Sequence, residues 1–266
     1  MEKNTHYQGK RVSYTIEGNG YPLVFIHGYL EYKNIWTNFT KHFLNKYKLI
    51  TIDMPGHGDT EVFRSVHTMK EMAQLVKYVM AENHIFKATI IGHSMGGYIT
   101  LALVDYFPEV VDAFVLFSSS TMNDSREKKE LRDREIELVK SGKKDLIINT
   151  NIPNTFAQKN HHDFKPQIKE IKNTAKKMSE RGITAALEGM KNRVDYFNRY
   201  KMLRIPSLFI AGRYDNLIPI HLSEKQVEKA QNAQFVILEN SGHMGYIEEE
   251  KVAAKHILSF LEKQDL

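Results

Sequence analysis

Cysteine is the most informative absence from this chain of 266 residues, which contains none. Without cysteine the protein has no disulfide, no thiolate nucleophile and no cysteine-ligated metal site. Long apolar runs are missing as well, because none approaches the roughly 18 residues that span a bilayer. The polar start, MEKNTHYQGK, contains no apolar signal core. We therefore expect a cytoplasmic protein with no membrane span.

A strong overall charge is also absent, since 37 basic residues stand against 32 acidic ones, for a net of +5. The excess lies in residues 121–204, which hold 20 Lys or Arg and 12 Asp or Glu, whereas the remainder holds 17 and 20. These basic residues alternate with acids at helical spacing, which is typical of a solvated helical surface. A basic mouth that favours anionic substrates is the alternative. No aromatic stacking motif accompanies the basic residues, so we expect no nucleic-acid partner.

The first 120 residues alternate short apolar runs with longer helical patterns. The runs are PLVFI, KLITI, ATIIG and VDAFVLF, and a hairpin with its turn near Gly9 precedes them. Helical patterns cover residues 34–46, 68–82 and 95–106, and Thr68 with Glu71 gives a capping-box signature at the second. Apolar runs separated by helices indicate an α/β protein, with a mostly parallel sheet of about eight strands and helices on both faces.

The strand pattern stops after residue 120. Residues 121–203 are helical in pattern, and strand-like runs, SLFIAG and AQFVILE, return after them. A final helix is predicted over residues 251–263. We therefore predict an α/β core made of residues 1–120 and 204–266, interrupted by an inserted all-helical cap over residues 121–203.

The stretch GHSMGG, residues 92–97, fits the pattern G-x-S-x-G at Gly92, Ser94 and Gly96. It lies between a predicted buried strand and a helix start, which is the context of a nucleophile elbow. In such a turn the serine has a strained backbone and its hydroxyl projects above the sheet. The glycines two positions away allow the strand and the helix to pass closely. A tight turn with an incidental serine is the alternative.

A serine hydroxyl needs an oriented base to act as a nucleophile. His243 follows the last predicted strand, and Asp215 follows the strand before it. The chain order Ser94, Asp215, His243 is the order that this architecture requires. Both partners lie at carboxyl ends of strands, where open α/β sheets bind their ligands. Glu239 and Asp195 are weaker candidates for the acid.

Two backbone amides are candidates for an oxyanion hole. Met95 directly follows the serine, and Tyr29 follows an apolar strand that ends in His-Gly. Amides at these places would stabilise the charge of a tetrahedral intermediate. The supporting residues of the site are His27, Gly28, Gly92 and Gly96.

Together these segments make the sequence similar to the α/β-hydrolase fold family, in its serine-nucleophile branch with a helical cap. The matching pieces are HGY, DMPGHG, GHSMGG, GRYDNLIP and SGHMGYIE, in the family order. The resemblance implies that Ser94 is the nucleophile, His243 the base and Asp215 its orienting acid. It also implies oxyanion amides from Tyr29 and Met95. Because position 94 is serine, family members with an aspartate nucleophile are disfavoured.

The expected function is hydrolysis of a carboxylic ester or related small acyl substrate through an acyl-enzyme, with no metal or organic cofactor. C–C bond hydrolysis or perhydrolysis by the same triad stays open, and so does a non-enzymatic small-molecule receptor of this fold. The expected partner is a small acyl compound. We expect a monomer or a homodimer.

Several other residues are expected to be structural. His57 belongs to a turn, and the side chain of His93 should point away from the serine hydroxyl. The adjacent His161 and His162 lack a third ligand at helical spacing, so no metal site is predicted. Six apolar residues are interpreted either as pocket lining or as core: Trp36, Met122, Phe156, Met190, Leu217 and Met244.

Overall fold

One sheet forms the centre of the α/β part of the molecule. The computed structural model describes residues 1–228, 230 and 232–266, and within them the sheet has eight strands. In chain order the strands are β1 (Glu2–Tyr7), β2 (Lys10–Glu17), β3 (Tyr21–Ile26), β4 (Tyr47–Ile52), β5 (Ala88–His93), β6 (Val111–Phe117), β7 (Ser207–Gly212) and β8 (Ala233–Leu238). Their spatial order is β1-β2-β4-β3-β5-β6-β7-β8.

The prediction of a mostly parallel sheet is confirmed. β1 and β2 form an antiparallel hairpin and β2 is antiparallel to β4, whereas the other pairings are parallel. Gln8 and Gly9 connect the hairpin with φ angles of 52° and 75°, which is typical of a tight two-residue turn. β5 and β7 are buried along their whole lengths, as expected of strands covered on both faces.

The helices alternate with the parallel strands. Within the described residues the α-helices are α1 (Met69–Glu82), α2 (Met95–Tyr106), α3 (Arg126–Lys140), α4 (Lys144–Asn154), α5 (Lys165–Lys177), α6 (Glu180–Lys191), α7 (Phe197–Tyr200), α8 (Ile220–Val227), α9 (Gly245–Glu248) and α10 (Glu250–Lys263). The capping box of α1 is present, because the Thr68 hydroxyl accepts the Glu71 amide and the Glu71 carboxylate accepts the Thr68 amide, both at 3.2 Å.

The predicted α-helix over residues 34–46 is wrong. The segment forms two short 3₁₀-helices, Lys33–Trp36 and Phe39–His42. The rings of Trp36, Phe39 and Phe43 surround Phe25 of β3, with centroids 5.4, 6.4 and 5.8 Å from its own. All four side chains are almost fully buried. Packing of these aromatic rings therefore overrides the local helical preference.

The chain between β6 and β7 is helical and contains α3 to α7, with no strand among its residues, all of which are described. Within it α3 packs against α6, and α4 packs against α5. We call residues 121–203 the helical insertion; its assignment as a separate cap domain stays a prediction. No helix in the described part of the chain is long and apolar enough to cross a membrane.

Candidate active site

Ser94 lies in a strained turn between β5 and α2. Its φ and ψ angles are 51° and −113°, a conformation that a residue with a Cβ adopts only under constraint. A Cβ at Gly92 would collide with the Thr100 hydroxyl, and a Cβ at Gly96 would collide with the Ile26 carbonyl. These two glycines therefore allow α2 to pass directly over the ends of β5 and β3.

His243 and Asp215 meet beyond the carboxyl ends of β8 and β7. The Nδ1 atom of His243 lies 2.8 Å from Oδ2 of Asp215. The other carboxylate oxygen, Oδ1, accepts the amides of Leu217 at 2.8 Å and Ile218 at 3.0 Å. An ionised carboxylate accepts the Nδ1 proton, and this leaves Nε2 of a neutral His243 unprotonated.

The unprotonated nitrogen and the serine share one cavity. Ser94 and His243 both line a cavity of about 410 Å³. Nε2 of His243 is buried and makes no hydrogen bond with any described residue, the Ser94 hydroxyl included. Catalytic hydrogen bonds are often long before substrate binds and tighten in the complex. The arrangement can therefore deliver the serine proton to Nε2 once a substrate is bound.

Two free amides lie beside the serine. Met95 is the first residue of α2, and Tyr29 follows the end of β3. Neither amide donates a hydrogen bond to another described group. The α2 amino terminus also directs a partial positive charge at this point. Unused donors of this kind can bind an oxyanion.

His27 connects the loop that contains Tyr29 to the loop after β4. Its Nδ1 lies 2.8 Å from the Gly28 carbonyl oxygen, and its Nε2 accepts the Met54 amide at 3.0 Å. These contacts fit a neutral ring with its proton on Nδ1. Burial lowers the pKa of His27 to about 4, so the ring stays neutral near neutral pH and holds the loop in place.

Glu31 and His93 form a buried pair next to the site, and Glu31 also lines the cavity. The Glu31 carboxylate accepts the Gly28 amide at 2.7 Å and lies 3.0 Å from Nδ1 of His93. Nε2 of His93 lies 3.0 Å from the His243 carbonyl oxygen. Both ring nitrogens thus face acceptors, and a doubly protonated ring satisfies both. The pair joins the Tyr29 loop to the His243 loop.

The sequence interpretation missed Glu31. Burial raises the pKa of its carboxyl, but the attraction of His93 and the hydrogen bonds from His93 and Gly28 are together stronger and lower it overall. The signal was available: an acidic residue stands two positions after Tyr29, in a segment whose neighbours are mostly apolar or aromatic. A buried carboxylate needs a partner, and that partner is the histidine before the candidate nucleophile.

The other acids weighed as orienting groups lie elsewhere. Glu239 forms a surface ion pair with Arg213 at 2.7 Å. Asp195 accepts the Phe197 amide at 2.8 Å in the helical insertion. Neither contacts His243.

His57 and His162 lie outside the candidate site. His57 is buried with Nδ1 3.1 Å from the Pro55 carbonyl oxygen, and burial lowers its pKa to about 3. His162 is exposed and lies beside Asp163. Across residues 1–228, 230 and 232–266, no group of three or more His, Asp or Glu could hold a metal ion.

The six apolar candidates fall into two groups of three, and Met190 belongs both to the cavity wall and to the buried core. Three line the cavity: Met122, Met190 and Leu217. The other three belong to the buried core: Trp36, Phe156 and Met244. Most of the residues that line the cavity belong to the helical insertion.

The chain belongs to the α/β-hydrolase fold family. The family model described as "alpha/beta hydrolase fold" matches residues 21–250, which include every candidate residue above. The prediction of this family, and with it of a hydrolase-type enzyme, is confirmed.

Individual relatives are distant but cover nearly the whole chain. Pimeloyl-(acyl-carrier protein) methyl ester esterase of Wigglesworthia glossinidia brevipalpis is 26% identical over 250 residues, or 91% of this chain and 93% of its own. A 2-hydroxy-6-oxononadienedioate/2-hydroxy-6-oxononatrienedioate hydrolase of Paraburkholderia phymatum is 26% identical over 278 residues, or 94% and 91%. Among solved structures, a thermophilic esterase from Thermogutta terrifontis superposes with a TM-score of 0.93 at 24% identity and covers 99% of both chains.

Proposed function

We propose that this protein is a serine hydrolase that cleaves a carboxylic ester, or a related small acyl compound, through an acyl-enzyme. One observation carries the proposal: three distant chain segments meet at one cavity with complementary chemistry. Ser94 is strained and lines the cavity, His243 presents a buried nitrogen without a partner, and Asp215 fixes the opposite ring nitrogen.

The geometry supports a two-step reaction. Ser94 Oγ attacks the ester carbonyl while Nε2 of His243 accepts its proton, and Asp215 stabilises the imidazolium that forms. The amides of Tyr29 and Met95 stabilise the oxyanion. His243 then gives the proton to the leaving alcohol, which departs and leaves an acyl-serine. In the second step His243 takes a proton from water as the water oxygen attacks the acyl carbon, and it then returns the proton to Ser94 Oγ as the acid departs.

The relatives support this chemistry and keep one alternative open. The W. glossinidia relative and the T. terrifontis structure are both named as esterases. The P. phymatum relative is named for a keto-dioate without an ester linkage, so C–C bond hydrolysis by the same triad is the second candidate. Turnover of simple esters with burst formation of an acyl-enzyme favours the first. Turnover restricted to a ring-fission diketo acid favours the second.

Replacing the serine tests the mechanism. The Ser94→Ala variant should lose p-nitrophenyl ester turnover by about 10⁴-fold or more while its circular dichroism spectrum stays unchanged. A fluorophosphonate probe should label the wild type at Ser94, as read by peptide mass spectrometry, and leave the variant unlabelled. Ser259→Ala, at an exposed serine of α10, is the matched control. Turnover retained in Ser94→Ala would exclude the mechanism, and ligand binding without any turnover would favour the receptor alternative.

We further propose that the helical insertion acts as a cap that sets substrate size, because its methionines and α3 face the same cavity as the serine. The remaining proposals are a cytoplasmic location, supported by the absence of cysteine, a monomeric or homodimeric state, and no nucleic-acid partner.

A further inference from the structure

Helix α3 places two basic side chains in the cavity of the candidate nucleophile. Lys128 and Arg132 are four residues apart on α3, so they lie on one face of the helix. Both line the cavity that Ser94 and His243 line. Burying a cation at this position costs desolvation free energy unless a carboxylate pairs with it.

Arg132 is buried, with only 7% of its surface exposed. Its Nε donates to the Asp124 carboxylate, and its two terminal nitrogens make no hydrogen bond with any described residue. Guanidinium groups usually bind carboxylates through two parallel hydrogen bonds. Arg132 therefore retains an unused pair of donors at the cavity wall.

Arg193 differs from Arg132 because its donors are occupied. Its nitrogens donate to the carbonyl oxygens of Met122 and Met190, and Nη1 lies 2.6 Å from Asp124. Its guanidinium also lies 4.0 Å from the centre of the Tyr98 ring. Asp124 thus serves two guanidinium groups at once, and one carboxylate does not neutralise two cations.

Lys128 adds a further positive charge. It is half-buried, and burial together with the charge of Arg132 lowers its pKa. Its ammonium forms no ion pair within the described part of the chain. Two other carboxylates line the cavity: Glu31, which lies 3.0 Å from Nδ1 of His93, and Glu135, which accepts a hydrogen bond from Asn151 at 2.8 Å. None of these carboxylates pairs with the Lys128 ammonium, so this positive charge has no partner among the described residues.

The hydroxyl of Tyr29 completes the polar group. It is buried and has no hydrogen-bond partner among the described residues, and it lies within electrostatic range of Arg132 and Glu135. Burial raises its pKa well above the usual value, so it is a neutral donor. The amide of this same tyrosine is a candidate oxyanion donor. The Tyr29 hydroxyl is therefore separated from a candidate oxyanion donor by the length of one tyrosine side chain.

We propose that Lys128, Arg132 and the Tyr29 hydroxyl form a carboxylate-binding subsite, so that the preferred substrates are esters whose acyl chain ends in a second, ionised carboxylate. The unpartnered charge is matched by one anionic group, and the free guanidinium edge and hydroxyl supply its hydrogen bonds. This inference rests on the proposed ester hydrolysis. It also accounts for a cavity wall that otherwise holds an ammonium group without an ion pair, a free guanidinium edge and a hydroxyl without a hydrogen-bond partner.

The test compares matched charged and neutral substrates. Monoethyl esters of straight-chain dicarboxylic acids are paired with ethyl esters of monocarboxylic acids of equal length, and kcat/KM is measured by pH-stat. For the best chain length the anionic ester should be preferred by about tenfold or more, as expected of hydrogen bonds to a charged group. The preference should fall towards unity in Lys128→Met, and fall in Tyr29→Phe, which keeps the backbone amide. Lys129→Met, at a neighbouring lysine outside the cavity, should keep the preference.

A binding measurement separates this inference from the proposed reaction. Adipate should bind the Ser94→Ala variant measurably more tightly than hexanoate in calorimetry, and Lys128→Met in that background should remove the difference. Equal kcat/KM for charged and neutral esters, with equal binding of the two acids, would overturn the subsite and leave ester hydrolysis intact. Absence of ester turnover and of fluorophosphonate labelling, with adipate binding retained, would instead overturn the reaction and leave the subsite intact.

Discussion

Replacing Asp215 with asparagine should move the ring proton of His243 from Nδ1 to Nε2. Oδ1 of Asp215 accepts two backbone amides, from Leu217 and Ile218, at 2.8 and 3.0 Å. An asparagine side chain must keep its oxygen at that position, because an NH₂ group there would face two donors. Its NH₂ group is thereby directed at Nδ1 of His243, 2.8 Å away in the wild type. Nδ1 then accepts, and the ring proton moves to Nε2, which faces the cavity.

A ring protonated on Nε2 has no lone pair for the serine proton. The kcat for p-nitrophenyl butyrate should therefore fall by about 10⁴-fold, or about 5 kcal/mol of transition-state free energy. The side chain keeps its shape and its two amide contacts, so the melting temperature should change little. Fluorophosphonate labelling of Ser94 should slow in parallel, since it requires the same base.

Asp195→Asn is the matched control, because this acid was the sequence-based alternative and caps a turn in the helical insertion. It should leave kcat within about twofold of the wild type. A kcat for Asp215→Asn within tenfold of the wild type would refute the tautomer argument, as would an equal loss in Asp195→Asn.

Two further predictions concern buried residues next to the site. Glu31→Gln removes the charge that faces His93, so the free energy of unfolding in urea should drop by about 3 kcal/mol. The kcat should also fall. An unchanged urea midpoint would contradict the proposed role of the buried pair. Burial lowers the pKa of His27 to about 4 and of His57 to about 3 from an ordinary 6.5. The unfolded chain then binds protons first, so stability is intact above about pH 6.5 and is lost as the pH falls, by about 1.4 kcal/mol per histidine and pH unit. Urea midpoints that are equal at about pH 7 and about pH 5 would disprove this.

Much of the fold could be predicted because its signals are local. Apolar runs identified the parallel strands, and the capping box of Thr68 and Glu71 identified the start of α1. Ser94, Asp215 and His243 could be selected because each directly follows a predicted strand. The α-helix predicted over residues 34–46 was wrong for a different reason. That segment takes its conformation from packing against Phe25 of β3, and a contact between distant parts of the chain leaves no signal in local periodicity.

The electrostatic details of the site could not be predicted, because they depend on which charges face each other across the fold. Net charge indicated only that residues 121–204 are basic. Which cations are neutralised depends on Asp124 lying between Arg132 and Arg193, an arrangement set by the packing of α3 against α6. The pairing of Glu31 with His93 likewise joins residues sixty-two positions apart.

Hydrogen bonds join the helical insertion to the loop that contains His243, the candidate base. The Thr155 carbonyl accepts the amides of both His243 and Met244, at 2.7 and 3.2 Å. The half-buried Glu248 carboxylate accepts the amides of Ala157, in the insertion, and Gly242, beside the histidine. A motion of this end of the insertion would therefore also displace His243. Any opening that admits substrate must instead occur where the insertion lacks such bonds to the His243 loop. Among the described residues, α3, which carries Lys128 and Arg132, forms none of them.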